Sequence, residues 1–240
     1  MESKVLLQPA YVLHKQPFQN TSQLVDFFCL DYGRVRAVAK GARTSKSKYR
    51  SLLQLFHPIL VSMSGRGEVK TVTAVDCGVN AISLVGQRLF SGLYINELIT
   101  RLLHFHVDCP AIYRAYQQTL IELQGNADLN VVLRRFELLI LSQLGYGLDL
   151  SHDCNNQADI SPDGRYLFVA QTGFERIGEA GADLSNSRVF SGEHLMELAQ
   201  LKFSSKASIN SAKRVMRLAL QAHLGDKPLH SRDLFTQPTQ

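Results

Sequence analysis

The side chains with the clearest chemical meaning in this sequence are eight cations that lie between Asp31 and Glu68, a window without an acidic residue. Uncompensated positive charge of this density attracts polyanions. Contacts from several Lys and Arg side chains to phosphates supply the salt-sensitive part of nucleic-acid affinity. The window therefore predicts binding to a phosphate backbone through Arg34, Arg36, Lys40, Arg43, Lys46, Lys48, Arg50 and Arg66.

The positive excess is confined to the first third of the chain. Residues 1–80 contain 11 Lys and Arg against 5 Asp and Glu, whereas residues 81–240 contain 15 against 16. A solvated basic loop without a ligand is one alternative interpretation. An anionic membrane surface would also fit the charge, but the sequence lacks the amphipathic apolar helix that usually accompanies such binding.

Catalytic patterns are missing from the sequence. The block Gly65–Thr71 contains part of a phosphate-loop pattern, but it lacks the glycine that should precede Lys70 and it leads into a strand-like run. No G-x-S-x-G or H-E-x-x-H pattern occurs, so we expect a binding protein and not an enzyme. The alternative is a nuclease, which would need clustered carboxylates to hold Mg²⁺. The nearest candidates for such a cluster are Asp149, Asp153, Asp159 and Asp163.

The spacing of cysteine and histidine predicts neither a metal nor a cofactor. The cysteines lie too far apart for the C-x₂-C half-sites of structural zinc. The clusters 104–106 (His-Phe-His) and 152–154 (His-Asp-Cys) have no partner pair at a recognisable spacing. The sequence contains no signal peptide and no apolar run of membrane length, so we expect a cytoplasmic protein with reduced thiols. These thiols are Cys29, Cys77, Cys109 and Cys154.

The elements that would present the cations begin with a set of short strands. Alternation of charged and apolar residues over 34–38 places Arg34 and Arg36 together on one face of a strand. Further strands are predicted at 11–14, 24–30, 53–63 and 69–75, with a basic loop over 41–49. Five short strands with a basic face and long loops favour an OB-fold barrel. Such barrels stack bases on aromatic side chains, and the candidates here are Tyr11, Phe18, Tyr32 and Tyr49.

From about residue 85 the apolar spacing changes to the helical period. Helices are predicted around 93–103, from Pro110 to Gly125, from the N-cap Asp128 to about Gly145, and over 191–203 and 208–224. We therefore predict an α+β protein. An OB-fold over 1–80 binds DNA, and a mainly α-helical domain over 81–240 carries a small β-hairpin insert at about 150–188. Three cations on the last long helix could extend the DNA path onto this domain: Lys213, Arg214 and Arg217.

Several blocks of the sequence are similar to the RecO family of bacterial DNA repair proteins, which act as recombination mediators. The block Gly33–Arg43 (GRVRAVAKGAR) resembles the family signature. The other blocks follow in family order and cover nearly the whole chain: Gly65–Thr71, Ser91–Leu98, Leu133–Glu137, Leu144–Gly147, Lys227–Leu229 and Ser231–Phe235. The resemblance implies an N-terminal OB-fold and a C-terminal helical domain, which the charge distribution and the change of period predict independently.

The resemblance also implies a function. Members of the RecO family bind single- and double-stranded DNA and anneal complementary strands in the RecF pathway of recombination after DNA damage. With RecR they help to load RecA onto DNA coated by the single-stranded-DNA-binding protein, whose acidic C-terminal tail they engage. We therefore expect DNA, RecR and this tail as partners, no membrane partner, a monomeric state and a location at the nucleoid in the bacterial cytoplasm.

The third predicted helix is the part of the chain to which the resemblance assigns the tail. An acidic tail with an apolar last residue and a free carboxylate needs a cation beside an apolar groove. Arg134 and Leu138 lie one turn apart on this helix. The alternative is an arginine that faces solvent or pairs with a carboxylate such as Glu137. The predicted receptor residues are Arg134, Arg135, Phe136 and Leu138.

One departure from the family concerns zinc. Many members carry a four-cysteine site in the insert, but only Cys154 stands in that region here. The chain therefore resembles the zinc-less branch of the family. We expect the insert to be held by hairpin pairing and by apolar contacts of Tyr166, Phe168 and Phe174.

Overall fold

The structure, a computed structural model, describes residues 4–77, 81–178, 186–225 and 227–235. The strands are β1 (Lys4–Phe18), β2 (Ser22–Cys29), β3 (Gly33–Ala39), β4 (Ile59–Ser64), β5 (Val69–Cys77), β6 (Arg165–Val169), β7 (Gly173–Ile177) and β8 (Val189–Ser191). The helices are α1 (Tyr49–Leu52), α2 (Gly86–Leu102), α3 (Pro110–Gln124), α4 (Leu129–Gln143), α5 (Gly192–Gln200) and α6 (Lys206–Leu224), followed by a 3₁₀ helix (His230–Phe235).

The first five strands form a closed barrel in the order β1-β2-β3-β5-β4. Neighbouring strands are antiparallel, except that β3 and β5 are parallel. Alternate residues point into the barrel, and their small and β-branched side chains fill it. This closed five-stranded architecture confirms the predicted OB-type barrel. The buried interior includes Val25, Phe27, Val35, Ala37, Val61 and Met63.

One predicted strand is shorter than expected. The apolar run 53–63 predicts a single strand, but β4 begins only at Ile59. Residues 53–58 follow the four-residue helix α1 as a bend and a turn, and Leu53 packs into the barrel core from there. Pro58 stands directly before the strand, and proline has no backbone N–H for a ladder hydrogen bond.

Helices α2 and α3 cover the outer face of β1 and β2. Asn96 of α2 donates from Nδ2 to the Leu13 carbonyl at 3.0 Å and accepts a hydrogen bond from the Tyr116 hydroxyl at 2.7 Å. The rings of Tyr11 and Phe28 lie within 6 Å of the rings of Tyr113 and Tyr116. These four aromatic side chains are all buried, so they form a second core outside the barrel.

The chain divides into two compact units. One contains the described residues up to Asn126 and those from Leu229 onward, and the other runs from Ala127 to Pro228. The first unit is larger than the predicted 1–80 domain because α2 and α3 pack on the barrel. The predicted division at residue 80 coincides with the change from strands to helices, and as a domain boundary it stays a prediction. No helix in the described ranges is long and apolar enough to cross a membrane.

In its described residues the second unit contains three helices and a small sheet in the order β7-β6-β8. Helix α4 begins at the predicted N-cap, where the Asp128 carboxylate accepts from the Asn130 backbone N–H at 2.8 Å. The β6–β7 hairpin confirms the predicted hairpin. Tyr166, Phe168 and Phe174 are buried in this unit, as expected. Residues 179–185 of the predicted insert lie outside the described residues.

Candidate nucleic-acid interface

The outer face of β3 carries the first two cations of the basic window. In the β2–β3 ladder Arg34 lies opposite Phe28, and Arg36 lies opposite Asp26. Cross-strand partners in such a ladder share a face. Both arginines therefore project outward, as the alternation predicts, but their surroundings differ.

Arg34 is buried, and both of its terminal nitrogens contact oxygen atoms of the protein. Its Nη1 donates to the carbonyls of Thr100 at 2.5 Å and Leu103 at 2.6 Å, at the C-terminal end of α2. Its Nη2 lies 3.5 Å from Asp26 Oδ2, and its guanidinium lies 4.1 Å from the centre of the Phe105 ring. Burial lowers the pKa of Arg34. These contacts satisfy carbonyls that a helix end leaves unpaired. Arg34 therefore caps the C-terminal end of α2 from inside the fold.

Arg36 is held by a fork of two hydrogen bonds. Its Nε and Nη2 donate to the two carboxylate oxygens of the buried Asp26 at 2.5 and 2.7 Å. This hydrogen bonding raises the pKa of Arg36. The guanidinium also lies 4.8 Å from the centre of the Phe105 ring, and 36% of the side chain remains exposed. Arg36 is thus fixed in orientation and still reachable from solvent.

The segment Lys40–Arg50, here called the basic loop, presents the largest group of exposed cations. It consists of turns and the start of α1. The backbone N–H of Arg43 donates to the Thr21 carbonyl at 2.8 Å, and its Nη1 donates to the Gln19 carbonyl at 3.2 Å. These bonds fold the loop back onto the β1–β2 turn. The exposed cations of the loop are Lys40, Arg43, Lys46, Lys48 and Arg50.

Among the residues that the structure describes, no salt bridge joins a cation of the basic loop to an acidic side chain. Arg43 contacts backbone carbonyls instead, and Lys48 Nζ lies 6.0 Å from the centre of the Tyr49 ring. Arg66 is exposed in the turn between β4 and β5. In the same turn region Lys70 is buried, and its Nζ donates to the Gly65 carbonyl at 3.1 Å. The incomplete phosphate-loop pattern is therefore a bend that leads into β5, where the Lys70 ammonium contacts a backbone carbonyl.

The predicted stacking aromatics lie in different environments. Tyr11 is buried in the core beneath α3, where burial raises its pKa. Tyr32 and Tyr49 are half-buried and pack against the barrel core. Phe18 is half-buried at the end of β1. The sequence analysis did not identify Phe105 as a functional residue, although the Arg34 and Arg36 guanidinium groups lie over its ring. The only sequence feature that marks it is its position between His104 and His106.

The acidic residues of the insert have structural partners. Asp153 is buried, and its carboxylate accepts from the backbone N–H groups of Asn155 at 2.7 Å and Arg176 at 2.8 Å. Asp149 accepts from the backbone N–H of Ser151 at 2.8 Å. Among the described residues, no three His, Cys, Asp or Glu side chains are grouped so that they could hold a metal ion. Asp149 and Asp159 both approach His152, at 3.0 and 3.5 Å, but in the described part of the insert the carboxylates do not form the metal-holding group that a nuclease would need.

The predicted tail receptor on α4 is partly inside the fold. Arg134 and Glu137 form a buried pair, with Nε–Oε2 at 2.6 Å and Nη2–Oε1 at 2.5 Å. Phe136 is buried in the core of the unit. Arg135 is exposed, and Leu138 is half-buried. Of the four predicted residues, Arg135 and Leu138 are therefore the most accessible.

Helix α6 brings a further cation to α4. The Lys213 side chain is exposed. Partial burial of its ammonium and the positive charge of Arg134 both lower the pKa of Lys213, so the two cations lie close together. Arg214 donates from Nη2 to the Val189 carbonyl at 2.8 Å and lies over the Phe190 ring, which ties it to β8. Arg217 is exposed. The sequence suggested Lys213 only as an extension of a DNA path.

Comparison with known proteins matches both parts of the chain. The family model described as "Recombination protein O N terminal" matches residues 1–78, and the one described as "Recombination protein O C terminal" matches residues 85–233. The chain is 42% identical to the DNA repair protein RecO of Psychromonas ingrahamii over 95% of this chain and 96% of that protein. It is 43% identical to that of Pseudomonas putida over 95% and 96%. It is 39% identical to that of Coxiella burnetii over 98% and 100%.

Proposed function

The chain belongs to the RecO family of DNA repair proteins, and from this premise we propose that it is a non-enzymatic recombination mediator. It binds single- and double-stranded DNA, anneals complementary strands, and with RecR helps to load RecA onto DNA coated by the single-stranded-DNA-binding protein. The observation that carries the proposal is the basic loop, whose five exposed cations form no salt bridge within the described residues.

Annealing requires two polyanions to approach each other. Cations that contact phosphates release the counterions condensed on DNA, so binding is entropically favourable and weakens with added salt. The basic loop contacts backbone phosphates and not base edges, so it binds with weak sequence preference. Arg66 contributes from the neighbouring turn. We leave Arg34 out of the interface because its guanidinium is buried against Asp26 and two carbonyls.

Charge reversal in the basic loop tests DNA binding. The triple variant Arg43→Glu, Lys46→Glu and Lys48→Glu should lose most binding to single strands at moderate salt. Each lost phosphate contact lowers the slope of log affinity against log salt by about 0.7 for single strands, so the slope should fall by about 2. The measurement is fluorescence anisotropy of a labelled oligonucleotide over a range of salt concentrations.

The matched control reverses three exposed cations elsewhere and changes the net charge equally. Arg176, Lys202 and Lys206 are exposed in the second unit, and their reversal should leave the salt slope close to that of the unaltered protein. If both triple variants lose affinity equally while circular dichroism shows them folded, total charge and not the basic loop governs binding, and the assignment is wrong.

For the acidic tail we propose a receptor between α4 and α6. Arg135 and Lys213 supply exposed positive charge for the acidic residues and the terminal carboxylate, and Leu138 supplies apolar surface for the last side chain. Arg134 completes the group, with Glu137 fixing the position of its guanidinium. Electrostatic attraction of this kind favours encounter and orientation, whereas the apolar contact favours retention.

Single substitutions at exposed positions test the receptor more cleanly than Arg134→Ala, which would strand the buried Glu137 carboxylate. Lys213→Ala should weaken binding of an acidic peptide with an apolar C-terminal residue by about tenfold, within the range for a charged contact. The same peptide with an amidated C-terminus should bind the unaltered protein weakly. Arg217→Ala, on the same helix, is the control. Equal losses for both variants would contradict the assignment.

Strand annealing tests the mediator activity as a whole. One of two complementary oligonucleotides is coated with the single-stranded-DNA-binding protein, either intact or lacking its C-terminal tail. We expect annealing of the coated strand that depends on the tail. Annealing of bare strands only would retain the basic loop as a DNA contact and remove the tail receptor. Absence of annealing by folded protein at low salt would refute the mediator proposal.

A further inference from the structure

The Arg36 guanidinium is a plane whose position the fold fixes. Its two hydrogen bonds to Asp26 hold one edge, and the residue whose carboxylate accepts them is itself only 3% exposed in the sheet. Arg36 also stands in the middle of three strands, because its backbone pairs with β2 on one side and with Val69 of β5 on the other. A bidentate arginine–carboxylate pair restricts rotation of the guanidinium.

One side of this plane rests on Phe105. The ring centre lies 4.8 Å from Arg36 Cζ, and the backbone next to it is tied to β3 because the His106 N–H donates to the Arg34 carbonyl at 2.9 Å. Phe105 also forms an isolated parallel bridge with Arg34. Phe105 and Asp26 together cover one side and one edge of the guanidinium, so the exposed 36% of the side chain lies away from them.

Charge makes Arg36 a weaker phosphate ligand than the cations of the basic loop. Asp26 neutralises part of its charge at 2.5 Å, whereas Lys40 and Lys46 form no salt bridge in the described part of the chain. What Arg36 offers to a ligand is a rigid planar surface backed by an aromatic ring. Guanidinium planes and aromatic rings are the surfaces on which proteins stack unpaired bases.

The surface continues from Arg36 towards the basic loop. Along β3 the outward residues after Arg36 are the half-buried Val38 and, beyond the strand, the exposed Lys40. Four residues of extended strand span about 13 Å. A single strand bound by the basic loop can therefore place an unpaired base at Arg36 without leaving this face of the barrel.

We propose that Arg36, backed by Phe105 and held by Asp26, is a stacking platform for an unpaired nucleobase of bound single-stranded DNA. This inference rests on the proposed DNA binding and adds a contact that duplex DNA, with its bases paired and stacked, does not make. It distinguishes Arg36 from the neighbouring cations, which contact phosphates in strands of either kind.

The test compares Arg36→Lys on two single strands of the same length, oligo-dT and an abasic strand. Lysine keeps the charge and the pairing with Asp26 but has no plane. We expect about a tenfold loss of affinity for oligo-dT, within the range for one stacked base, and unchanged affinity for the abasic strand and for duplex DNA. The salt slope should be unchanged. Equal losses on oligo-dT and the abasic strand, or no loss on either, would overturn the platform.

Phe105→Leu gives a second test that keeps an apolar side chain under the guanidinium, and it decides the matter if Arg36→Lys is unfolded. It should lower affinity for oligo-dT and spare the abasic strand. Equal losses on both strands would overturn the platform here too. Failure of the proposed function gives a different result, because the unaltered protein would then bind neither oligo-dT nor duplex DNA at low salt.

Discussion

Replacing Asp26 by asparagine should separate stability from DNA affinity. The Asp26 carboxylate is buried and is the acidic partner of both Arg34 and Arg36. Removal of one partner from a buried ion pair costs about 3–5 kcal/mol. Asp26→Asn should lower the free energy of unfolding by about 3 kcal/mol, at the low end of this range. The reason is that Arg34 keeps its two carbonyl acceptors and Arg36 is partly exposed to water.

Hydrogen exchange followed by mass spectrometry is the assay, since it reports the barrel separately from the second unit. A loss of about 3 kcal/mol corresponds to a more than 100-fold increase in the exchange rates of the β2 and β3 amides. Asp76→Asn is the control, because Asp76 is exposed on β5 and its loss changes the net charge equally. Equal exchange rates in the two variants would refute the view that the buried carboxylate stabilises this face.

The same variant should not lose affinity for duplex DNA. Asp26→Asn removes a negative charge from beneath the β3 surface, so the local field becomes more attractive to phosphates. Affinity for duplex DNA should stay level or rise although stability falls. Affinity for oligo-dT should fall relative to the abasic strand, because Arg36 loses the carboxylate that orients it. A protein that loses all three affinities in parallel would show that folding alone accounts for the effect.

Two further predictions concern the support of this region. Gly33→Ala should lower the melting temperature by about 5 °C or more, because Gly33 has φ +60° and an added Cβ would lie 1.8 Å from the Val107 carbonyl oxygen; an unchanged melting temperature would contradict this. Burial raises the pKa of Glu97, but hydrogen bonds donated by Ser231 and His230 outweigh it, and the pKa is lowered. The ionised Glu97 carboxylate therefore contributes its full stabilisation of the 3₁₀ helix above the unfolded pKa of about 4.3, and this stabilisation is lost as the pH falls through the lower pKa of the folded protein. Over that pH range amide exchange in the 3₁₀ helix should accelerate in the unaltered protein, whereas the Glu97→Gln variant should show no such pH dependence.

The local sequence pattern was sufficient to predict the barrel and the main helices. Alternation in β2 and β3 decides which side chains enter the core, and the Asp128 N-cap and Pro110 mark helix starts through backbone chemistry that depends only on near neighbours. The position of Leu53 could not be read in the same way. An apolar run fits a strand or a turn that packs into the core equally well, and the choice depends on the barrel around it.

The sequence predicted the positive charge of the candidate site but not which of its cations are buried. Exposure of the basic loop follows from its composition, whereas the burial of Arg34 depends on the end of α2, where the contacted carbonyls lie 66 and 69 residues further along the chain. The same limit applies to α4, where the sequence places Arg134 and Glu137 one turn apart but does not reveal that both are buried. Periodicity also does not predict that Lys213 lies near Arg134, because the two residues are on different helices and their proximity depends on how those helices pack.

Adjacent outward positions on one strand can thus have different functions although the residue type is the same. Arg34 lies where α2 ends, so its donors satisfy carbonyls of that helix and its charge stays within the fold. Arg36 lies two residues further, beyond the helix, where Phe105 and Asp26 cover part of it and 36% of the side chain stays exposed. Lys40 lies beyond both and is exposed. Along this strand the side chains become progressively more exposed, and the role that we propose for them changes from helix capping to base stacking to phosphate contact.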